Sequence, residues 1–187
     1  MKMKNETVRL VVLLFTFCAV VALILAGINK LTAPVIKEVE AEKTRESLMK
    51  VCPTANDFAP VEYDMAANPN ILEAYELTKH GKLAGYGVLV SSQGFGGEIK
   101  MMVGVANNGR VLGVSIISLS ETPGLGTKAN DVEWLNQFVL KTSPYKVVKG
   151  KAEADNEVVA VTSATVTSKA VTAGVEAAIA FAGGLNK

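Results

Sequence analysis

Two short segments of this chain hold the residue types from which chemistry could be built. The first, Thr162-Ser163-Ala164-Thr165-Val166-Thr167-Ser168-Lys169, is a run of hydroxyls at the expected start of a helix. Such hydroxyls can cap the free N–H groups of a first helical turn. The same geometry suits a phosphate, because those donors point outward and the helix dipole favours negative charge. Composition alone leaves both uses open. Thr165 is also an alcohol nucleophile able to accept a phosphoryl group, and its small neighbours Ser163 and Ala164 leave it accessible. The second segment, Glu121-Thr122-Pro123-Gly124-Leu125-Gly126-Thr127-Lys128, sets two glycines and a proline in a short loop whose backbone a flat ligand could approach. It reads equally well as a strand-to-helix connection with ordinary turn chemistry. It is neither a P-loop, since its lysine lacks the Gly-Lys-Ser/Thr context, nor a dinucleotide GxGxxG motif.

The elements that must position these segments are legible from periodicity and turn residues. Runs at 71–78, 83–91, 98–106 and 111–119 read as strands of one antiparallel sheet. Asn107-Asn108-Gly109-Arg110 between the last two is a hairpin signal, because Asn and Gly tolerate positive φ. A Gly-rich loop at 93–97 follows the second strand. Residues 130–140 predict a helix capped by Asn130 or Asp131, with Trp134, Leu135, Phe138 and Val139 on one face. Short strands at 145–148 and 157–161 lead to the hydroxyl run. A last helix from about Ser168 to Ala182 carries Val171, Val175, Ala178, Ile179 and Ala182 at helical spacing. The pattern predicts an α+β domain with helices against one face of the sheet.

Ahead of this domain, residues 10–28 (LVVLLFTFCAVVALILAGI) are apolar and uncharged. At about 1.5 Å per residue this stretch spans about 28 Å, close to the hydrocarbon thickness of a bilayer. It is longer than the core of a signal peptide and lacks a small-residue cleavage site, so it reads as an uncleaved transmembrane helix in contact with membrane lipid. Lys2, Lys4 and Arg9 precede it and Lys30 and Lys37 follow closely, which favours a cytoplasmic N-terminus and an extracytoplasmic C-terminal domain, single-pass in the cell membrane. The expected organisation is a cytoplasmic N-terminus at 1–9, the transmembrane helix at 10–28, a helical stalk at 29–53 and the domain at 54–187. The stalk is expected to begin a second helix near Thr32-Ala33-Pro34 and to be mostly solvated.

Composition narrows the chemistry further. Without residues 1–9 the chain holds 16 basic and 17 acidic residues, and such balance argues against nucleic acid as a partner. Cys18 lies inside the apolar block and Cys52 beyond it, and neither belongs to a CxxC pair, which argues against zinc, iron–sulfur and attached haem. The single histidine, His80, sits in Lys79-His80-Gly81-Lys82, a solvated turn. A hydrolase built on Ser163 would lack the G-x-S-x-G setting and a well-placed histidine.

As a pair, Ser120–Lys128 (SETPGLGTK) and Thr162–Ser168 (TSATVTS) resemble the FMN-binding domain of RnfG, the G subunit of the Rnf electron transport complex. That family is related to NqrC, the C subunit of the Na⁺-translocating NADH:quinone reductase. The resemblance covers roughly residues 83–185 and extends to the layout of one anchor helix before an exported domain. It implies one FMN per chain, joined through a phosphoester to Thr165 by a flavin transferase of the ApbE type that releases AMP from FAD. It places Thr162, Ser163, Ala164, Val166, Thr167, Glu121, Thr122, Gly124, Leu125 and Gly126 around the cofactor, with helix donors near Thr167 and Ser168 at the phosphate. Leu125 would cover a ring face and Thr122 would bond an edge. The chain departs from the family pattern in two places: Ser163 stands where Gly is usual, and Val159 where Asp is usual. The resemblance further implies an electron-transfer subunit with no catalytic residue or metal of its own. Its partners would be the other membrane subunits of an ion-translocating ferredoxin:NAD oxidoreductase. The alternatives are a stand-alone membrane flavoprotein feeding an extracytoplasmic reductase, and a non-redox membrane-tethered binding module.

Overall fold

The computed structural model describes residues 2–185, in two compact units, one ending at Glu42 and the other beginning at Lys43. Helix α1 (Lys2–Val51) supplies the first unit. Every large apolar side chain from Leu10 to Ile28 is exposed on it, so a stretch long and apolar enough to cross a bilayer has no protein cover. Pro34 lies inside the helix, where a new helix was expected to begin. The helix continues through it, and one turn earlier Thr32 Oγ1 donates to the carbonyls of Ile28 at 3.0 Å and Asn29 at 3.4 Å.

The second unit is built on a five-stranded antiparallel sheet in the order β1 (Asp57–Pro60), β2 (Ile71–Lys79), β3 (Lys82–Gln93), β4 (Glu98–Ala106), β5 (Val111–Leu119). Each strand pairs with its sequence neighbour, the simplest route for antiparallel pairing. The β4–β5 hairpin turns at Asn107–Arg110 as the sequence predicts: Gly109 takes φ +78°, and Arg110 N–H donates to Asn108 Oδ1 at 3.1 Å. His80 (φ +51°) and Gly81 make the β2–β3 turn. A separate pair of strands, β6 (Lys146–Val148) and β7 (Glu157–Val159), is parallel.

The sheet is covered on both faces, not on one. Alternation along β4 sends Ile99, Met101, Val103 and Val105 to the larger core and Met102 to the smaller one. The larger core packs against α3 (Thr165–Leu185) through Val171, Val175, Ala178 and Ala182. The smaller core is closed by Leu48, Val51 and Cys52, at the end of α1, so residues 43–53 are not a solvated stalk. Their seat is a trough of cross-strand glycines: Gly87 faces Gly104, and Gly104 faces Gly113. A Cβ on Gly104 would lie 3.1 Å from the Val51 Cβ, and one on Gly113 would lie 2.9 Å from its Cα. Only bare backbone lets the helix end come this close.

The helix expected over 130–140 is broken. Residues Gly126–Asn130 and Asn136–Phe138 form 3-10 turns around a short α2 (Val132–Leu135). Neither expected cap forms a side-chain bond, with Asp131 extended at φ −67°, ψ 128°. The segment instead serves β7: Trp134 Nε1 donates to the Val159 carbonyl at 2.7 Å, and Val159 N–H donates to Gln137 Oε1 at 2.8 Å. Trp134, Phe138 and Tyr145 then stack edge to face, with centroids 5.5 and 5.3 Å apart. Val159, where the family pattern has Asp, thus has both backbone groups held.

Candidate functional site

Three chain segments converge beside the N-terminus of α3. The loop after β3 brings Phe95. The loop after β5 brings Glu121, Thr122, Leu125 and Gly126. The approach to α3 brings Ser163 to Thr167. Together they line a cavity of about 340 Å³, within the range of small-molecule sites. The two sequence motifs therefore meet, nine of the eleven expected residues lining one space. Thr162 and Gly124 lie outside it. Thr162 is exposed, and Gly124 is a turn residue at φ +76° whose N–H donates to Thr127 Oγ1 at 2.9 Å.

Buried polar bonds fix the geometry. Glu121 is buried and lines the cavity, but its Oε1 accepts the N–H groups of Phe95 at 2.7 Å and Gly96 at 3.2 Å. The carboxylate thereby ties two loops 25 residues apart. Gly126 sits where they meet the helix: a Cβ there would lie 2.7 Å from Glu121 Oε2 and 3.0 Å from Thr167 Oγ1. On the helix side, Ser168 is fully buried. Its Oγ accepts the Val161 N–H at 2.9 Å and donates to the Ala164 carbonyl at 3.0 Å, which locks the turn that presents Thr165.

Helix α3 begins at Thr165, three residues earlier than expected, so Thr165 is its first residue. Ser168 N–H is committed to the Ala164 carbonyl at 3.0 Å and is not a free donor, contrary to the expectation for the phosphate. Among the described residues, the N–H groups of Thr165, Val166 and Thr167 have no acceptor in the chain, and no hydroxyl of Thr162 or Ser163 caps them. The hydroxyl run is thus not a self-satisfied cap. The helix start offers donors and the positive end of a dipole to the cavity. Ser163 adopts φ +64°, in the left-handed region. Glycine is at home there, which gives a physical reason for the family's usual residue.

Sequence reasoning passed over Phe95, seen only as part of a Gly-rich loop. It is 74% exposed and lines the cavity with Leu125 and Val166, 44% and 54% exposed. An aromatic flanked by Gly94, Gly96 and Gly97, with no apolar partner nearby in sequence, was the available signal. At the other end of α3 lies a larger cavity of about 570 Å³, lined by Tyr63, Asn68, Ala177, Phe181 and Leu185 and by the acidic Glu62 and Asp64.

Comparison with known proteins gives the family and the fold. Residues 94–180 match the FMN-binding domain, and residues 1–51 match the RnfG N-terminal region. The G subunit of the Na⁺-translocating ferredoxin:NAD⁺ oxidoreductase complex of Acetobacterium woodii is 36% identical, over 96% of this chain and 93% of its own length. The G subunit of the proton-translocating ferredoxin:NAD⁺ oxidoreductase complex of Clostridium ljungdahlii is 33% identical, over 87% and 84%. The C subunit of the Na⁺-translocating NADH-quinone reductase from Parabacteroides distasonis shares the fold, with a TM-score of 0.59 over 80% of this chain and 94% of that one at 17% identity. NqrC of Shewanella oneidensis gives 0.50 over 67% and 66%, at 22% identity.

Proposed function

This chain belongs to the RnfG family, the G subunits of Rnf-type complexes, and from that premise we propose that it carries one FMN in phosphoester linkage to Thr165 and relays electrons within an ion-translocating ferredoxin:NAD⁺ oxidoreductase. It is a subunit of an ion-translocating oxidoreductase complex with an FMN-binding domain. The observation that carries the finer reading is the place of Thr165: the first residue of α3, half-buried, lining the cavity where both motifs meet.

The residues present fit the group. A phosphoester on Thr165 Oγ1 would sit against the free N–H groups of the first turn, and the apolar rim would take the flat ring. Attachment needs no redox change. The Thr165 oxygen attacks the riboflavin-side phosphorus of FAD, the bond to the adenylate oxygen breaks, AMP leaves, and the hydroxyl proton passes to a base of the flavin transferase. When bound, FMN accepts and donates electrons singly or in pairs, and the protein sets its position and surroundings. Thr165 fixes the phosphate end, Glu121 and Ser168 hold the loops, and Leu125 and Val166 exclude water at the rim. The positive-inside pattern favours the domain on the extracytoplasmic side, where a tether prevents loss of the flavin. The partners are then the other membrane subunits, with an ApbE-type transferase for maturation and lipid around residues 10–28.

The test is co-expression with a flavin transferase, followed by ultraviolet fluorescence of a denaturing gel. The expected result is a fluorescent wild-type band and a dark Thr165→Ala band. A dark wild-type band, with the transferase active on another target, overturns the covalent reading. Co-purification with other membrane subunits separates the complex from a stand-alone flavoprotein.

A further inference from the structure

We infer that Phe95 is an aromatic wall of the flavin slot, laid over the ring by Glu121, which acts as a positioning residue. The assignment rests on the covalent-flavin reading.

The cavity lining is of two chemical kinds. Thr165 and Thr167, with the unpaired N–H groups of the first turn of α3, offer donors to an anion, while the one carboxylate of the lining, Glu121, is engaged by the N–H groups of Phe95 and Gly96. Three apolar side chains, Phe95, Leu125 and Val166, are exposed although they line a concave surface. A space that offers both anion donors and apolar walls complements a ligand that joins a charged group to a flat aromatic one. Leu125 and Val166 belong to the two motif segments. Phe95 arrives from a third segment and brings the only aromatic ring among the residues lining this cavity. Aromatic faces stack on flat π-systems with offset geometry, which aliphatic walls cannot do.

The position of Phe95 is built, not incidental. The carboxylate holding its N–H and that of Gly96 is buried, and Gly94 and Gly126 press against the same carboxylate so closely that neither could carry a Cβ without displacing it. Gly94 N–H closes the loop on the Gly97 carbonyl at 2.9 Å. Buried bonds that clamp the backbone of an exposed phenyl group over a cavity make sense when the phenyl has something to cover.

The test uses the full-length chain, flavinylated by co-expression, in detergent. Indole in contact with an excited flavin quenches it by electron donation, whereas phenyl and alkyl groups do not. Phe95→Trp is therefore expected to lose most of its flavin emission per flavin absorbed, and Phe95→Leu to keep wild-type emission. Phe95→Ala is expected to raise the quenching constant of added iodide, because one ring face opens to water. Glu121→Ala should reproduce that increase with Phe95 in place, and Glu121→Gln, which keeps an acceptor oxygen, should restore the wild-type value. A flavinylated Phe95→Trp chain with undiminished emission overturns the assignment and leaves the covalent reading standing. A wild-type chain without bound flavin overturns both. Wild-type iodide access in Glu121→Ala removes the positioning role.

Discussion

Helix α3 has a cavity at each end, and the larger of the two is the poorer candidate for an anionic cofactor. At the C-terminal end, about 570 Å³ is bordered by Glu62, Asp64 and the negative end of the helix dipole. Tyr63 there donates to the Ile71 carbonyl at 2.9 Å and meets Phe181 edge to face at 5.0 Å. Burial, reinforced by the nearby Glu73, pushes its phenol up. At the N-terminal end, about 340 Å³ is bordered by unpaired donors and the positive end of the dipole; its one carboxylate, Glu121, is engaged by the N–H groups of Phe95 and Gly96, and Ser168 ties the helix start with a buried bond. Volume does not choose the site. The sign of the local field and the investment of buried polar groups do.

That contrast can be tested from both ends of the helix. The largest expected effect is Thr165→Ala: complete loss of covalent flavin on a denaturing gel, with Thr165→Ser retaining it, and stability changed by no more than about 0.5 kcal/mol because the side chain makes no hydrogen bond within the chain. At the opposite end, Phe181→Ala removes a buried ring and should cost about 3–5 kcal/mol in denaturant unfolding, while the folded fraction still takes up flavin. Loss of flavin from the folded fraction of that variant would break the comparison. Ser168→Ala leaves the Val161 N–H without its acceptor and should cost about 1–3 kcal/mol, with reduced flavin loading because the turn presenting Thr165 loosens.

Smaller effects sharpen the picture. Ser163→Gly relieves a left-handed φ, worth about 1–2 kcal/mol, against about 0.4–1 kcal/mol of added chain entropy, so thermal unfolding should shift upward slightly. Acid should act on the N-terminal end first. The Glu153 N–H, then Lys146 at 3.0 Å, hold the Glu157 carboxyl below its ordinary 4.5. A lowered folded value means stability that is present above pH 4.5 and lost as pH falls through the folded value. Amide exchange in β6–β7, on the approach to α3, should therefore quicken below that pH before exchange at the C-terminal end of α3 does.

Much of this is legible in the sequence where local chemistry decides. The Asn-Gly hairpin falls where φ > 0 demands it, and the hydroxyl run marks the start of α3. The two motifs are recognisable as a pair although 33 residues separate Lys128 from Thr162. What is not legible depends on partners distant in sequence. Phe95 reaches the site only because Glu121, 26 residues away, holds its N–H. The helix over 130–140 fails because Trp134 and Gln137 bond the backbone of Val159, which no periodicity reports. The second covered face of the sheet is hidden because Gly87, Gly104 and Gly113 look like weak strand positions until the register aligns them.

That glycine trough has a practical consequence for how the second unit could be excised. A fragment begun at residue 54 would strip away Leu48, Val51 and Cys52 and leave a furrow of bare strand backbone beside Leu77, Leu89 and Met102. Such a surface invites self-association. A fragment begun at Lys43 keeps the plug in its furrow, so the two cuts should differ between a monodisperse domain and an aggregate.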